Sequence, residues 1–340
     1  MQNITKMMKT GSFSTEQLAG QRLMVGFDGH VFNGDLQTLI CDLKVGGVIL
    51  FTRNLGNPDQ IQALCTAIQD CARSADQPPL LISTDQEGGQ VARLKAPFTL
   101  FPGNPMITAE ADAEHFAKVT ATELSGVGIN MNMAPVLDVD CKAIKSVMAG
   151  RAFSDDPRQV SDLGMQVIRH LQQNGIMAVA KHFPGIGRTT ADSHFTRPFL
   201  DTELKTLELT DLTPFKAAVN ETVAGVMLSH IVYTGIDPNW PASLSDQIVR
   251  ILLREKLRYE GVIMTDDLDM GAIKKHYDIT TVIRQIIKAD IDIALICHKG
   301  PDIETAYNLI LKALNTSTSA KYRGLVAVER IMKLKQTYLV

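Results

Sequence analysis

Apolar residues gather along this chain in eight short, β-branched-rich runs, at residues 21–27, 45–51, 79–83, 129–139, 176–181, 225–230, 261–265 and 291–297. Most are continuous rather than alternating, the pattern of strands covered on both faces, as in a parallel sheet. Between them the apolar spacing changes to that of helices. Residues 57–75 open with Asn57 as an N-cap and Pro58 at the first helical position. Residues 108–127 end near Gly126 and Gly128, and residues 156–173 stop at Asn174-Gly175. Helical spacing continues at 202–219, 245–257, 280–288, 302–314 and 320–338. Eight strands alternating with helices predict an α/β fold, a single (β/α)8 barrel with slightly irregular first strands. A doubly wound sheet is the rival, but no GxGxxG or GxxxxGK[ST] follows any strand. No linker or composition shift divides residues 1–340, so one domain is expected.

Composition narrows the function. The 340 residues are 45% hydrophobic and 21% charged, with a net charge of -3, which gives no reason to expect nucleic acid or an anionic membrane as partner. The five cysteines, Cys41, Cys65, Cys71, Cys141 and Cys297, form neither a CxxC pair nor a zinc spacing, as expected of free thiols in a reducing compartment. The first 17 residues lack the apolar core of a leader, and no apolar run reaches the roughly 18 residues of a membrane span. The expectation is a soluble, cytoplasmic monomer.

In a barrel, chemistry belongs to the C-terminal ends of the strands. The polar residues just after the runs are Asp85, Gln86, Glu87 and Arg93; Asp138, Asp140 and Arg151; Lys181, His182, Asp192 and His194; His230; Asp266 and Asp267; and His298 and Lys299. The segments before the strands carry mostly turn residues. Richest is KHFPGIGRTTADSH, residues 181–194, whose competing reading is a solvated surface loop. Gly185 and Gly187 are expected to lend it flexibility. Asp192 and His194, two apart in extended backbone, would share a side, the Asp orienting the imidazole and raising its basicity. Asp266, at the tip of a buried run, would stay ionised facing Lys181, His182 and Arg151 and could act as nucleophile or cation stabiliser; the alternative is a helix N-cap, which fits Asp267 or Asp269 equally. No HxH or HExxH supports a catalytic metal. A Schiff base on Lys181, its pKa lowered by His182, is another competitor, but leaves Asp85, Arg93, Arg151 and Asp266 without roles.

Four collinear motifs, TDQEGGQVARL at 84–94, GRAFSDDP at 150–157, KHFPGIGRTTADSH at 181–194 and GVIMTDDLDMGAI at 261–273, resemble glycoside hydrolase family 3, and within it the β-N-acetylglucosaminidases. MNMAPVLDVD at 131–140 and FPGNP at 101–105 are lesser matches. The resemblance implies a barrel that releases terminal β-linked N-acetylglucosamine (GlcNAc) from peptidoglycan fragments of the GlcNAc–anhydro-muramoyl-peptide type, without cofactor, through a covalent glycosyl-enzyme. It implies Asp266 as nucleophile, His194 as acid/base with Asp192 as its dyad partner, and Asp85, Arg93, Arg151, Lys181 and His182 as the residues that hold the sugar. Two alternatives use the same site: a phosphorylase, and a catalytically weak sugar-binding barrel. The chain departs from the family pattern at Ile186, where PGHG is usual, and at Arg188, where a small or acidic residue is.

Overall fold

A computed structural model describes residues 13–340; the opening stretch read as lacking a leader falls largely on residues 1–12, outside the described residues. Eight parallel strands follow in order: β1 (Leu23–Val25), β2 (Gly47–Leu50), β3 (Leu81–Thr84), β4 (Met131–Asn132), β5 (Met177–Phe183), β6 (Gly225–Leu228), β7 (Val262–Thr265) and β8 (Ala294–Ile296). Each lies beside its neighbours in sequence, β8 returning to pair with β1. The remaining seam, β7 to β8, is joined by a bridge between Met264 and Ile293 and by Thr265 N donating to Ile293 O at 3.1 Å. This is the expected (β/α)8 barrel, nearly closed. Every residue of β2, β3, β5 and β7 is buried, which explains why their sequences do not alternate.

The first strands are short but regular; the irregular ones are β5, whose register with β6 shifts between Ala180 and Phe183, and β4. Of the run at 129–139, Met131–Asn132 alone is regular strand. Pro135 has no N–H to give a ladder. Contact with β5 resumes past it, with Lys181 N donating to Pro135 O at 3.1 Å and Leu137 N to Lys181 O at 2.7 Å. The helices follow their punctuation. Asn57 and Asp156 cap Pro58–Ser74 and Pro157–Gln173, each with proline in the first turn. The helix expected at 202–219 is two, Leu204–Leu209 and Leu212–Asn220. The second carries Pro214 in its first turn, where the missing N–H costs nothing. The break leaves Thr210 and Asp211 at a corner beside the loop that follows β5.

The N-terminal ends of the strands hold more than turn residues. Arg22 is buried and donates to Ile291 O at 2.7 Å. Asp292 is buried between Arg254 (2.6 Å) and Arg330 (2.9 Å) and accepts from Ile263 N at 2.7 Å. Lys335, on the last helix (Thr318–Leu339), is also fully buried; its Nζ donates to Gln21 Oε1 (2.7 Å) and Gly46 O (2.9 Å).

Candidate active site

At the opposite end, β3 stops at Thr84 and delivers Asp85. A hairpin, Gln86–Gly88 with Val91–Ala92, then turns the chain back so that Arg93 N donates to Asp85 O at 3.2 Å. The turn needs glycine: Gly88 and Gly89 have φ of +86° and +60°, and a Cβ on Gly89 would stand 3.0 Å from Gly103 Cα. Glu87 thereby points inward alongside Asp85. Opposite, near the end of β5, stands Lys181, whose Nζ lies 2.9 Å from Asp85 Oδ1 and 2.6 Å from Glu87 Oε1. Arg93 takes the other oxygen of Asp85 at 3.1 Å, and Arg151 grips Glu87 with two bonds of 3.0 and 2.7 Å.

Two carboxylates and three cations thus form one continuous lattice. Burial alone would push the Asp85 and Glu87 carboxyls up, but Lys181 with Arg93 and Arg151 outweighs it and holds both below their ordinary values. Burial would likewise lower the Lys181 ammonium, yet the two carboxylates hold it above its ordinary value. His182 therefore does not lower it, and an ammonium locked in this way is unsuited to Schiff-base chemistry.

His182 is fixed from behind. Its Nδ1 donates to Asp138 Oδ2 at 2.7 Å, while Oδ1 of the same buried carboxylate accepts Ile186 N at 2.8 Å. The imidazole thereby presents Nε2 to the cavity. Ile186 is itself buried and lines that cavity.

Asp266 follows β7, with Oδ1 accepting Asp267 N at 2.8 Å. Burial pushes this carboxyl up, but the His230 and His182 rings, the Asp267 N–H and the Lys181 ammonium bring it below its ordinary value. His230 is buried and held below its own ordinary value by that burial. It donates from Nε2 to Asp267 O at 2.8 Å and accepts Ser243 Oγ–H at Nδ1 at 2.7 Å. Of the groups that lower the Asp266 carboxyl, Lys181 is the one whose own pKa is held above its ordinary value. Arg151, expected there too, instead engages Glu87. Asp267 is the structural member of the Asp pair: its Oδ1 accepts Asp269 N and Cys297 N, both at 3.0 Å.

Asp192 and His194 meet, though not in extended backbone. Asp192 Oδ1 accepts both His194 N and His194 Nδ1, each at 2.8 Å, and Asp192 O accepts Phe195 N at 3.1 Å. This is the Asp-centred turn that a short carboxylate side chain makes with backbone two residues on. Burial would raise the Asp192 carboxyl, but the two bonds from His194 hold it down. His194 is 64% exposed and leaves Nε2 for proton transfer.

The loop's two halves are anchored differently. Gly185 and Gly187 serve contact rather than flexibility: a Cβ at Gly187 would fall 1.7 Å from Val139 O, and one at Gly185 2.8 Å from Asp211 Cβ. The dyad turn is docked on the start of the segment after β7, where Gly271 N donates to His194 O (3.1 Å) and Ala272 N to Ser193 O (3.0 Å).

One cavity of about 140 Å³ is lined by Asp85, Arg93, Arg151, Lys181, His182, His194 and Asp266. It adjoins a second of about 250 Å³ that shares Arg151, His182, His194 and Asp266 and adds Asp192. All eight candidate residues are therefore brought together. Glu87, Asp138 and His230, which sequence reasoning left without roles, complete the charge pattern; each lies directly after or within a strand-end motif, the signal that marks them. Asp267, Asp269 and His298 are the described residues grouped closely enough to hold a metal. There Asp269 is paired with Lys274 at 2.7 Å and Asp267 is committed to backbone N–H groups.

Known proteins resemble this chain in both sequence and fold. The profile described as "Glycosyl hydrolase family 3 N terminal domain" matches residues 14–334. A β-hexosaminidase of Alkalilimnicola ehrlichii is 35% identical over 285 residues, covering 81% of this chain and 80% of that protein. One of Pseudomonas aeruginosa is 34% identical over 308 residues, covering 89% and 90%. Among solved structures, a family 3 β-N-acetylglucosaminidase from Paenibacillus sp. superposes with a TM-score of 0.93 at 35% identity; 96% of this chain spans 63% of that one. NagZ of Neisseria gonorrhoeae, solved in complex with N-trifluoroacetyl-D-glucosamine, gives a TM-score of 0.73 at 28% identity, covering 91% and 98%.

Proposed function

The chain belongs to glycosyl hydrolase family 3, as a glycoside hydrolase with β-N-acetylhexosaminidase activity, and from that footing we propose that it releases terminal β-linked GlcNAc with retention, through a glycosyl-enzyme on Asp266. The observation that carries the reading is that an ionised carboxylate and an Asp-oriented imidazole line one cavity beside a lattice of paired charges.

GlcNAc would occupy the smaller cavity. Asp85, Arg93 and Lys181 meet the hydroxyls farthest from the scissile bond, and Arg151 and His182 meet the N-acetyl side. Their geometry is set by one another before substrate arrives, so little is lost in ordering them. Asp266 attacks the anomeric carbon. The C–O bond to the leaving group breaks as His194 Nε2 gives its proton to the departing oxygen. Asp192 steadies the imidazole in both protonation states. Neutral His194 then takes a proton from water, the hydroxide attacks the anomeric carbon, and the bond to Asp266 breaks to free GlcNAc. The natural substrate we assign is a GlcNAc–anhydro-muramoyl-peptide from peptidoglycan, turned over by a monomer in the cytoplasm; the likeness to a NagZ solved with N-trifluoroacetyl-D-glucosamine supports the sugar part of that choice.

The test is to trap the enzyme with a slow fluorinated N-acetylglucosaminyl fluoride and map the labelled peptide. The expected label is on Asp266; label on any other residue overturns the nucleophile. Turnover with and without phosphate should give free GlcNAc in both cases, and a sugar 1-phosphate would convert the reading to phosphorolysis.

A further inference from the structure

The two departures from the family pattern, Ile186 and Arg188, lie in the segment that leads from His182 to the dyad. Ile186 fills the cavity wall. Arg188 turns away from the cavity. Its Nε donates to Asp211 Oδ2 at 2.7 Å and its Nη2 to Thr210 Oγ1 at 2.9 Å. Thr210 Oγ1 in turn donates to Asp211 Oδ2 at 2.6 Å. Asp211 is almost wholly buried at 1% exposure, and among the described residues Arg188 is the cation paired with it. Asp211 is also the residue against which Gly185 packs with no room for a side chain.

So Asp211 meets the loop at two points, Gly185 and Arg188, three residues apart. The next residue, Thr189, is buried. Its carbonyl accepts Val147 N at 3.0 Å and its Oγ1 accepts Ala191 N at 3.2 Å. Asp192 follows at once. The short stretch from Arg188 to Asp192 is therefore tied at its start to the corner between two helices, and further on by the bonds of Thr189 to Val147 and Ala191. The corner exists because the expected single helix breaks at Thr210.

We propose that Arg188 and Asp211 form a positioning clamp that sets where the Asp192–His194 dyad stands over the cavity. Neither residue touches substrate. The inference rests on the reading of His194 as acid/base. A buried carboxylate that loses its cation must take up water or a proton, and the loop that supplied the cation is then released. Displacing an acid by an ångström or so harms proton delivery far more than sugar binding.

The clamp should show itself through leaving-group dependence. With a GlcNAc disaccharide, whose leaving oxygen needs a proton, Arg188→Met is expected to lower kcat/KM by about 10- to 100-fold. With N-acetylglucosaminyl fluoride, whose leaving group needs far less help, kcat/KM for glycosyl-enzyme formation should fall less than about threefold, within ordinary mutational scatter. Asp211→Asn should follow the same pattern, and Arg188→Lys, which keeps one N–H for Asp211, should recover part of the loss. His194→Ala is measured alongside. If it shows no leaving-group dependence, the acid/base reading falls and the clamp falls with it. If it does while Arg188→Met loses equally on both substrates, or on neither, the clamp alone is overturned.

Discussion

Glu87 sits almost wholly out of solvent between Arg151 and Lys181, with side-chain exposure of 2%. Neither cation could be held so deep without it, since an unpaired buried charge is far costlier than a paired one. Asp85 shares Lys181 but cannot replace Glu87, because its second oxygen belongs to Arg93. Glu87→Gln keeps the shape and removes the charge. It is expected to destabilise the fold by roughly 3 kcal/mol, the usual cost of breaking a buried ion pair from one side. It should also weaken inhibition by GlcNAc about tenfold as Arg151 leaves its station. Urea denaturation and a product-inhibition constant check both. A stability change within about 0.5 kcal/mol, typical of surface substitutions, would remove Glu87 from the lattice.

Between elements, the dyad turn depends on a close approach to the segment after β7. A Cβ on Gly271 would stand 2.7 Å from His194 O and 3.1 Å from Phe195 O, both backbone atoms with little freedom to yield. Gly271→Ala should therefore push the turn off its seat while the barrel stays intact. We expect kcat/KM on a GlcNAc disaccharide to fall about tenfold or more, with a thermal midpoint close to that of the parent. Equal activity would mean that the turn is held elsewhere. Contacts of this kind also mark where sequence reasoning runs out. The eight strands were legible because burial on both faces leaves a local signature of continuous apolar runs. Lys181, His182 and Asp266 were legible because strand ends are where barrels place chemistry. The partition of charges was not. Nothing local says that Arg151 turns to Glu87 rather than to Asp266, or that Asp138 stands behind His182, since those pairings span 64 and 44 residues. The tight seats of Gly185, Gly187 and Gly271 are equally non-local. A glycine required for close contact reads in sequence the same as one serving flexibility.

Across the whole molecule the two ends of the barrel handle buried charge differently. At the C-terminal end every buried cation of the candidate site faces a carboxylate, and the group is poised for chemistry. At the N-terminal end, Asp292 binds two arginines, whereas Lys335 is buried against a side-chain amide oxygen and a carbonyl. Neutral acceptors do not repay the desolvation of an ammonium. Burial accordingly pulls the Lys335 pKa down from 10.5 to about 7, with no opposing cause. The sign of the consequence follows from proton counting. Between about 7 and 10.5 the unfolded chain carries the Lys335 proton and the folded chain has lost it, so stability rises with pH across that window. Below about 7 both states are protonated and the full penalty applies. Lys335→Met removes the titration while nearly keeping the volume, and the fixed cost of leaving Gln21 Oε1 and Gly46 O unbonded does not vary with pH. The unfolding free energy of the parent minus that of Lys335→Met should therefore climb from neutral pH towards 10, at up to about 1.4 kcal/mol per pH unit. Urea titrations of both proteins at several pH values measure it. A difference that is flat, or that falls as pH rises, would show that Lys335 keeps its proton in the fold and that the N-terminal end of the barrel is wetter than its packing indicates.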